Sequence, residues 1–177
     1  RQMCIRDRAF VSELEGMFQV YYDRVSLGRE KVMLEYSTTI KNDDFPTSLR
    51  GSFERDRILT YTTVGVHRDD LNLSLEGYPV KKLGSQGQKK SFLTALKLAQ
   101  FAYLVKQKGV KPLLLLDDIF DKLDADRVSQ IIQIVSSTDF GQVFVTDTNR
   151  EHIDEILQQH VMEYKIFHVE GGEVMNL

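Results

Sequence analysis

Apolar and polar positions change period several times along this chain. Residues 9–24, "AFVSELEGMFQVYYDR", place Phe10, Leu14, Met17 or Phe18, and Tyr21 at helical spacing. "KVMLEYSTTI" (31–40) alternates, with Val32, Leu34, Tyr36, Thr38 and Ile40 on one face, and predicts a strand. "NDDFP" breaks that pattern. "TSLRGSFERDRILTYTT" (47–63) follows as a charged, moderately amphipathic helix. "DLNLSLEGYPVKKL" alternates on either side of Glu76-Gly77 and predicts a hairpin.

Beyond residue 85 the rhythm changes. A long helix is predicted over about 86–107 and a continuous apolar run over 112–118. A helix follows at 124–136, a strand at 142–148, a helix at 150–159, and a strand pair around Gly171-Gly172. Helices alternating with apolar strands predict an α/β fold, a largely parallel sheet covered by helices on both faces. The patterning divides the chain into residues 1–8, a leader without readable pattern; 9–60, a helical arm with a connecting strand and helix; and 61–177, an α/β lobe.

Composition narrows the classes. The chain has 177 residues, 42% hydrophobic and 28% charged, as expected of a globular domain. Net charge is −3, so any nucleic-acid contact must come from a local basic patch. Cys4 is the one cysteine, which excludes an internal disulfide and suits a reducing compartment. No apolar run reaches membrane-spanning length and no signal-peptide pattern occurs, so a cytoplasmic, non-membrane protein is expected. The chain lacks an initiator Met, and "RQMCIRDR" does not read as a natural start, so a C-terminal fragment is expected.

Two constellations carry chemistry. In "PLLLLDDIFDKLD", four leucines predict a strand buried on both faces, ending in Asp117 and Asp118. Carboxylates at that end of an α/β strand sit where such sheets bind ligands. One can hold Mg²⁺ and the other can orient or deprotonate a water. Asp also ends strands and opens turns, and that simpler role stands beside the first. In "KKLGSQGQKKSFLTALKLAQ", Ser85, Gln86, Gly87 and Gln88 precede the long helix. Ser85 suits an N-cap, and the open N–H groups at a helix start favour an anion. Gly87 permits close approach of a backbone or phosphate, and Lys89 and Lys90 add positive charge. A plain capped helix after a turn is the alternative.

The order and spacing of these pieces resemble the second half of an ABC-type ATPase head. "GSQGQ" looks like its signature motif, "LLLLDD" like Walker B, and "DKLD" like the D-loop with Asp124 as final carboxylate. "GVHRDDLNLSLEGYPVKKLGSQGQKK" narrows the resemblance to the RecF family of the SMC-like branch, with Val66 where proline is expected. The phosphate loop of such heads, G-x-x-x-x-G-K-[ST], occurs nowhere in this chain. Where many ABC heads carry a histidine after the next strand, this chain has Thr146, Asp147 and Thr148.

The resemblance implies a P-loop ATPase head in which ATP and Mg²⁺ are sandwiched between two subunits. Ser85, Gln86, Gly87 and Gln88 would reach the nucleotide of the partner. Asp117 would hold Mg²⁺, Asp118 would act on water, and Thr146 or Thr148 would be a sensor. It further implies an ATP-dependent homodimer, binding to single- and double-stranded DNA, and recombination-mediator partners; the shorter reach of Asp118 than of the usual glutamate predicts slow hydrolysis. Arg68, Lys89 and Lys90 are the candidate DNA or interface contacts; a solvated charged turn is the simpler reading of Arg68. Two other functions compete: a non-catalytic SMC-like scaffold, and a related DNA-repair nuclease head. A nuclease would need a further acidic metal cluster.

Overall fold

The computed structural model describes residues 2–28, 30–41, 44–118, 122–148, 157–158 and 163–176. They form two compact units, residues 1–109 and 110–177. The pattern boundary near residue 60 lies between two strands that pair with each other in the first unit.

That unit is built on two long helices, α1 (Gln2–Ser26) and α4 (Gln86–Lys108). α1 begins ahead of Ala9, so residues 2–8 continue the same helix. Its buried stripe is Val11, Leu14, Phe18, Tyr22 and Val25, one step round from the expected stripe. Phe10 is exposed and meets Tyr103 edge to face at 4.9 Å. At the other end Phe92 of α4 packs edge to face on Phe18, with centroids 4.7 Å apart, and the two helices run antiparallel.

Strand β1 (Val32–Ser37) lies against α1, burying Val32 and Leu34. One edge pairs antiparallel with β2 (Asp70–Leu75). The other edge takes side chains of α1 in place of a strand. Val32 N donates to Gln19 Oε1 at 3.1 Å, and Leu34 N donates to Glu15 Oε1 at 3.0 Å. Four residues of helix rise about 6 Å and two of strand about 6.6 Å, so the acceptors match alternate amides. The edge is thereby closed to further pairing.

Helix α2 (Phe45–Leu59) starts inside the expected break. Asp44 caps it, accepting from Thr47 N at 3.2 Å, and Pro46 sits in the first turn, where a missing N–H costs nothing. It ends at Leu59 because Thr60 is left-handed and Asp56 takes both Thr63 N (3.0 Å) and Thr63 Oγ1 (2.6 Å). A 3-10 turn (Val66–Arg68) leads into β2. Glu76-Gly77, with φ of 50° and 78°, then form the tight hairpin turn to β3 (Tyr78–Pro79). The returning strand is shorter than its alternation suggested, because Pro79 has no amide for the ladder and the chain coils into α3 (Val80–Leu83). The sheet order is β1-β2-β3.

In the second unit β4 (Leu114–Asp117) pairs in parallel with β5 (Val143–Thr146). Between them, α5 (Ala125–Val135) buries Val128, Ile131, Ile132, Ile134 and Val135. The apolar run of β4 is not buried on both faces, as its sequence suggested. Leu114 and Leu116 are buried, whereas Leu113 and Leu115 are 63% and 64% exposed, so the strand alternates. Among the described residues the parallel sheet amounts to this pair; β6 (Phe167–Glu170) and β7 (Glu173–Asn176) form a separate antiparallel hairpin over Gly171-Gly172, at the expected place. The helix expected at 150–159 lies outside the described residues, except Leu157 and Gln158, which are helical.

Candidate functional site

The "GSQGQ" loop is built by two close approaches. Gly84 donates its N–H to Val80 O at 3.0 Å, ending α3. A Cβ on Gly84 would lie 2.8 Å from that same oxygen, so only glycine allows the turn. Ser85 then caps α4. Its Oγ accepts from Gln88 N at 3.1 Å, and Gln88 Oε1 accepts from Ser85 N at 2.9 Å, a reciprocal capping box. Lys89 N reaches Ser85 O at 2.9 Å. These bonds leave the N–H groups of Gln86 and Gly87 at the open helix end, beside an exposed Ser85 hydroxyl. Lys89 is exposed and Lys90 half-buried. α4 ends on left-handed Gly109.

Glu30 was not singled out from the sequence, yet it joins this loop. Gln88 Nε2 donates to Glu30 Oε1 at 2.5 Å, and the buried Tyr22 hydroxyl donates to Glu30 Oε2 at 2.6 Å. The contact spans 58 residues, so no local pattern could reveal it. A shallow cavity of about 150 Å³ opens beside the loop, lined by Leu75, Glu76, Tyr78, Val80, Leu83, Gly84 and Gln88. Small-molecule pockets begin near ~300 Å³, so the loop offers a surface contact and not an enclosing pocket.

The carboxylates lie in the other unit, at the carboxyl end of β4. Asp117 stands opposite Thr146 in the parallel register, and the Thr146 hydroxyl donates to Asp117 Oδ1. Asp118 ends the strand as a bend: its φ is 46°, a conformation Asp tolerates better than most residues, while its amide still makes the last ladder bond. Its amide reaches Thr146 O at 3.1 Å and Thr146 Oγ1 at 3.2 Å. Asp117, Asp118 and Thr146 are exposed and brought together; Thr148 is exposed two residues beyond the strand. Among the described residues no group of three or more His, Cys, Asp or Glu side chains could hold a metal. Mg²⁺ in phosphate sites takes one or two carboxylates and leaves its other positions to phosphate and water, so Asp117 fits that use. Asp124 is the N-cap of α5, accepting from Arg127 N at 2.9 Å, with Arg127 Nε 3.4 Å from its other oxygen. Asp121 of "DKLD" lies outside the described residues.

The "GVHRDD" segment folds on itself. Gly65, at φ 144°, leaves a Cβ no room: it would sit 2.9 Å from His67 Nδ1. Arg68 stacks its guanidinium 5.0 Å from the Tyr61 ring centre, and its Nε donates to Thr62 O at 3.4 Å. Tyr36 OH donates to Asp69 Oδ2. Arg68 is nevertheless exposed. Among the described residues, no helix is long and apolar enough to cross a membrane.

Comparison with known proteins agrees with this architecture. No family model matches the chain. The DNA replication and repair protein RecF of Bacteroides fragilis (strain YCH46) is 49% identical over 166 residues, covering 94% of this chain and 45% of the relative. That of Porphyromonas gingivalis is 41% identical over 175 residues, covering 98% of this chain and 48% of the relative. The chain thus spans about half the length of the curated relatives it matches. A structure of the recombination mediator protein RecF with ATP superposes with a TM-score of 0.72 at 23% identity, covering 99% of this chain and 46% of that one. An Smc head bound to the C-terminal winged-helix domain of ScpA gives 0.57 at 16% identity, covering 94% and 43%. At those identities the structures speak for the fold alone, which is that of a portion of a RecF and SMC ATPase head. Sustained over nearly all of its residues, the sequence similarity places this chain in the RecF family.

Proposed function

We propose that this chain is the signature and Walker B part of a RecF-like, ATP-dependent DNA-binding protein of recombinational repair and replication restart. The observation that carries the reading is the Ser85–Gln88 capping box, which leaves two N–H groups and a hydroxyl at the exposed start of a 23-residue helix. Such an end stabilises an anion through its open amides and its dipole. By the resemblance to ABC-type heads, that anion is the γ-phosphate of an ATP held by a partner subunit. A solved RecF with bound ATP, similar in fold, supports the choice of nucleotide.

Phosphoryl transfer needs positioning and charge stabilisation more than covalent help. Asp117, steadied by the Thr146 hydroxyl, would hold Mg²⁺, which when bound offsets phosphate charge. Asp118, turned out of the strand, accepts a proton from the attacking water or orients it. Its carboxylate is one methylene shorter than the glutamate usual in ABC heads, and slow, timer-like hydrolysis follows from that shorter reach. Asp124 holds the start of α5 beside the dimer interface, and Thr146 or Thr148 senses the γ-phosphate. Because the Ser85 loop contacts ATP only across the dimer, ATP favours the homodimer and hydrolysis releases it. Single- and double-stranded DNA, contacted through Arg68, Lys89 and Lys90, and mediator proteins are the partners of this cytoplasmic protein.

The test joins to this chain the part of the Bacteroides fragilis relative that it does not match, where the resemblance places the phosphate loop. The fused protein should dimerise with ATP and not with ADP in sedimentation, and Ser85→Arg should abolish the ATP-dependent dimer while leaving ATP binding intact. Dimerisation that ignores either ATP or Ser85→Arg would favour the scaffold reading.

A further inference from the structure

We infer that Glu30 is a positioning residue for the Ser85 loop, setting which end of the Gln88 amide faces the helix cap; its functional meaning rests on the trans-nucleotide reading above. A glutamine amide has one accepting end and one donating end, and either can be turned toward a given neighbour. The Ser85 cap needs the accepting end, because Ser85 N is a donor, 2.9 Å from Gln88 Oε1. Capping alone does not hold the other end. Glu30 does: its carboxylate only accepts, so the NH₂ of Gln88 must face it, and it does so at 2.5 Å. A flipped amide would set oxygen against carboxylate and NH₂ against N–H, losing both bonds at once.

Glu30 is fixed in turn. Its second oxygen accepts from Tyr22 OH at 2.6 Å, and the Tyr22 ring is wholly buried between Phe18 and Phe92. Phe92 belongs to α4, four residues beyond Gln88. The chain of contacts therefore starts and ends on α4 and passes through the end of α1 and the segment that follows it. A shift of α1 along α4 would displace Glu30 and release the Gln88 amide. The loop that meets the nucleotide is thus coupled to the arm helix by three side chains, Tyr22, Glu30 and Gln88.

Amide exchange followed by NMR on the 177-residue chain tests this without nucleotide. Losing Gln88 as acceptor should speed exchange at Ser85 N–H about five- to tenfold in Glu30→Ala. Amides in the middle of α4, at Leu98 and Ala99, should not change. Glu30→Gln keeps an oxygen for Gln88 and should retain most of the protection. In the unsubstituted chain, the side-chain NH₂ of Gln88 should exchange more slowly than that of exposed Gln100, a measurement that needs no variant. Unchanged Ser85 exchange in Glu30→Ala, a parallel rise along all of α4, or a Glu30→Gln chain as fast as Glu30→Ala would each overturn the assignment. So would a Gln88 NH₂ as fast as that of Gln100. Failure of the ATP dimer test with these exchange results intact would count against the trans reading alone.

Discussion

The Ser85 end and the Asp117 end differ in how they are made. The first is local. Within five residues a serine and a glutamine exchange hydrogen bonds at the start of a long helix. The second is assembled across 29 residues, where the Thr146 hydroxyl reaches Asp117 only because β4 and β5 pair in parallel. The first end also stands on a dense aromatic core of Phe18, Tyr22 and Phe92, whereas β4 has an exposed leucine face. A capped helix presents fixed donors; a strand end presents carboxylates whose orientation depends on the neighbouring strand.

The largest separation of the two ends should come from chemistry. In the fused two-lobe protein, Asp118→Asn should lower steady-state ATP turnover about a hundredfold or more while the ATP-dependent dimer persists, as removing a general base does. Loss of both together would mean that Asp118 serves assembly as well. Next is packing. Phe18 has no exposure, and Phe18→Ala should cost about 3–5 kcal/mol, read by denaturant unfolding. Protection of amides in α4 should fall, because Phe92 loses its partner. Smaller still, Ser85→Ala removes one cap acceptor and should cost about 1 kcal/mol, confined to the first turn of α4 in amide exchange. An effect spread evenly over both units would erase the local-versus-assembled distinction.

The smallest effect is a pH response on α2. The Thr63 hydroxyl first, then the Thr63 amide, the Ser52 hydroxyl and the Arg55 charge, hold the Asp56 carboxyl below its ordinary value of 3.8, against desolvation, the second-largest influence, which raises it. A carboxyl depressed in the folded state stabilises above its unfolded value and loses that contribution as pH falls through the folded one. The loop around Thr63 should therefore loosen below about pH 4, seen as broadening of the Thr63 amide signal. Asp56→Asn should show no such acid step. The Ser85 cap contains no carboxyl of its own.

Much of this was legible in one dimension, and the misreadings have physical causes. Ser85, Gln88 and Gly109 mark helix ends because backbone groups there need partners within a few residues. The Glu76-Gly77 and Gly171-Gly172 turns were legible for the same reason. The start of α2 was missed because Asp44 and Pro46 read as breakers, although both suit a first helical turn. The run Leu113–Leu116 suggested two buried faces, but hydrophobicity reports what a strand can bury and not what covers it.

Sequence by itself determined the long helices α1 and α4, the glycine turns, the RecF-like order of motifs, and the chemistry available at Ser85, Asp117 and Asp118. Each follows from side chains acting on backbone within a turn or two. Tertiary structure alone decided that Glu15 and Gln19 close the edge of β1, that Thr146 engages Asp117, and that Glu30 sets the amide of Gln88. Those bonds join residues 13 to 58 positions apart, and only packing can bring such partners within hydrogen-bond reach.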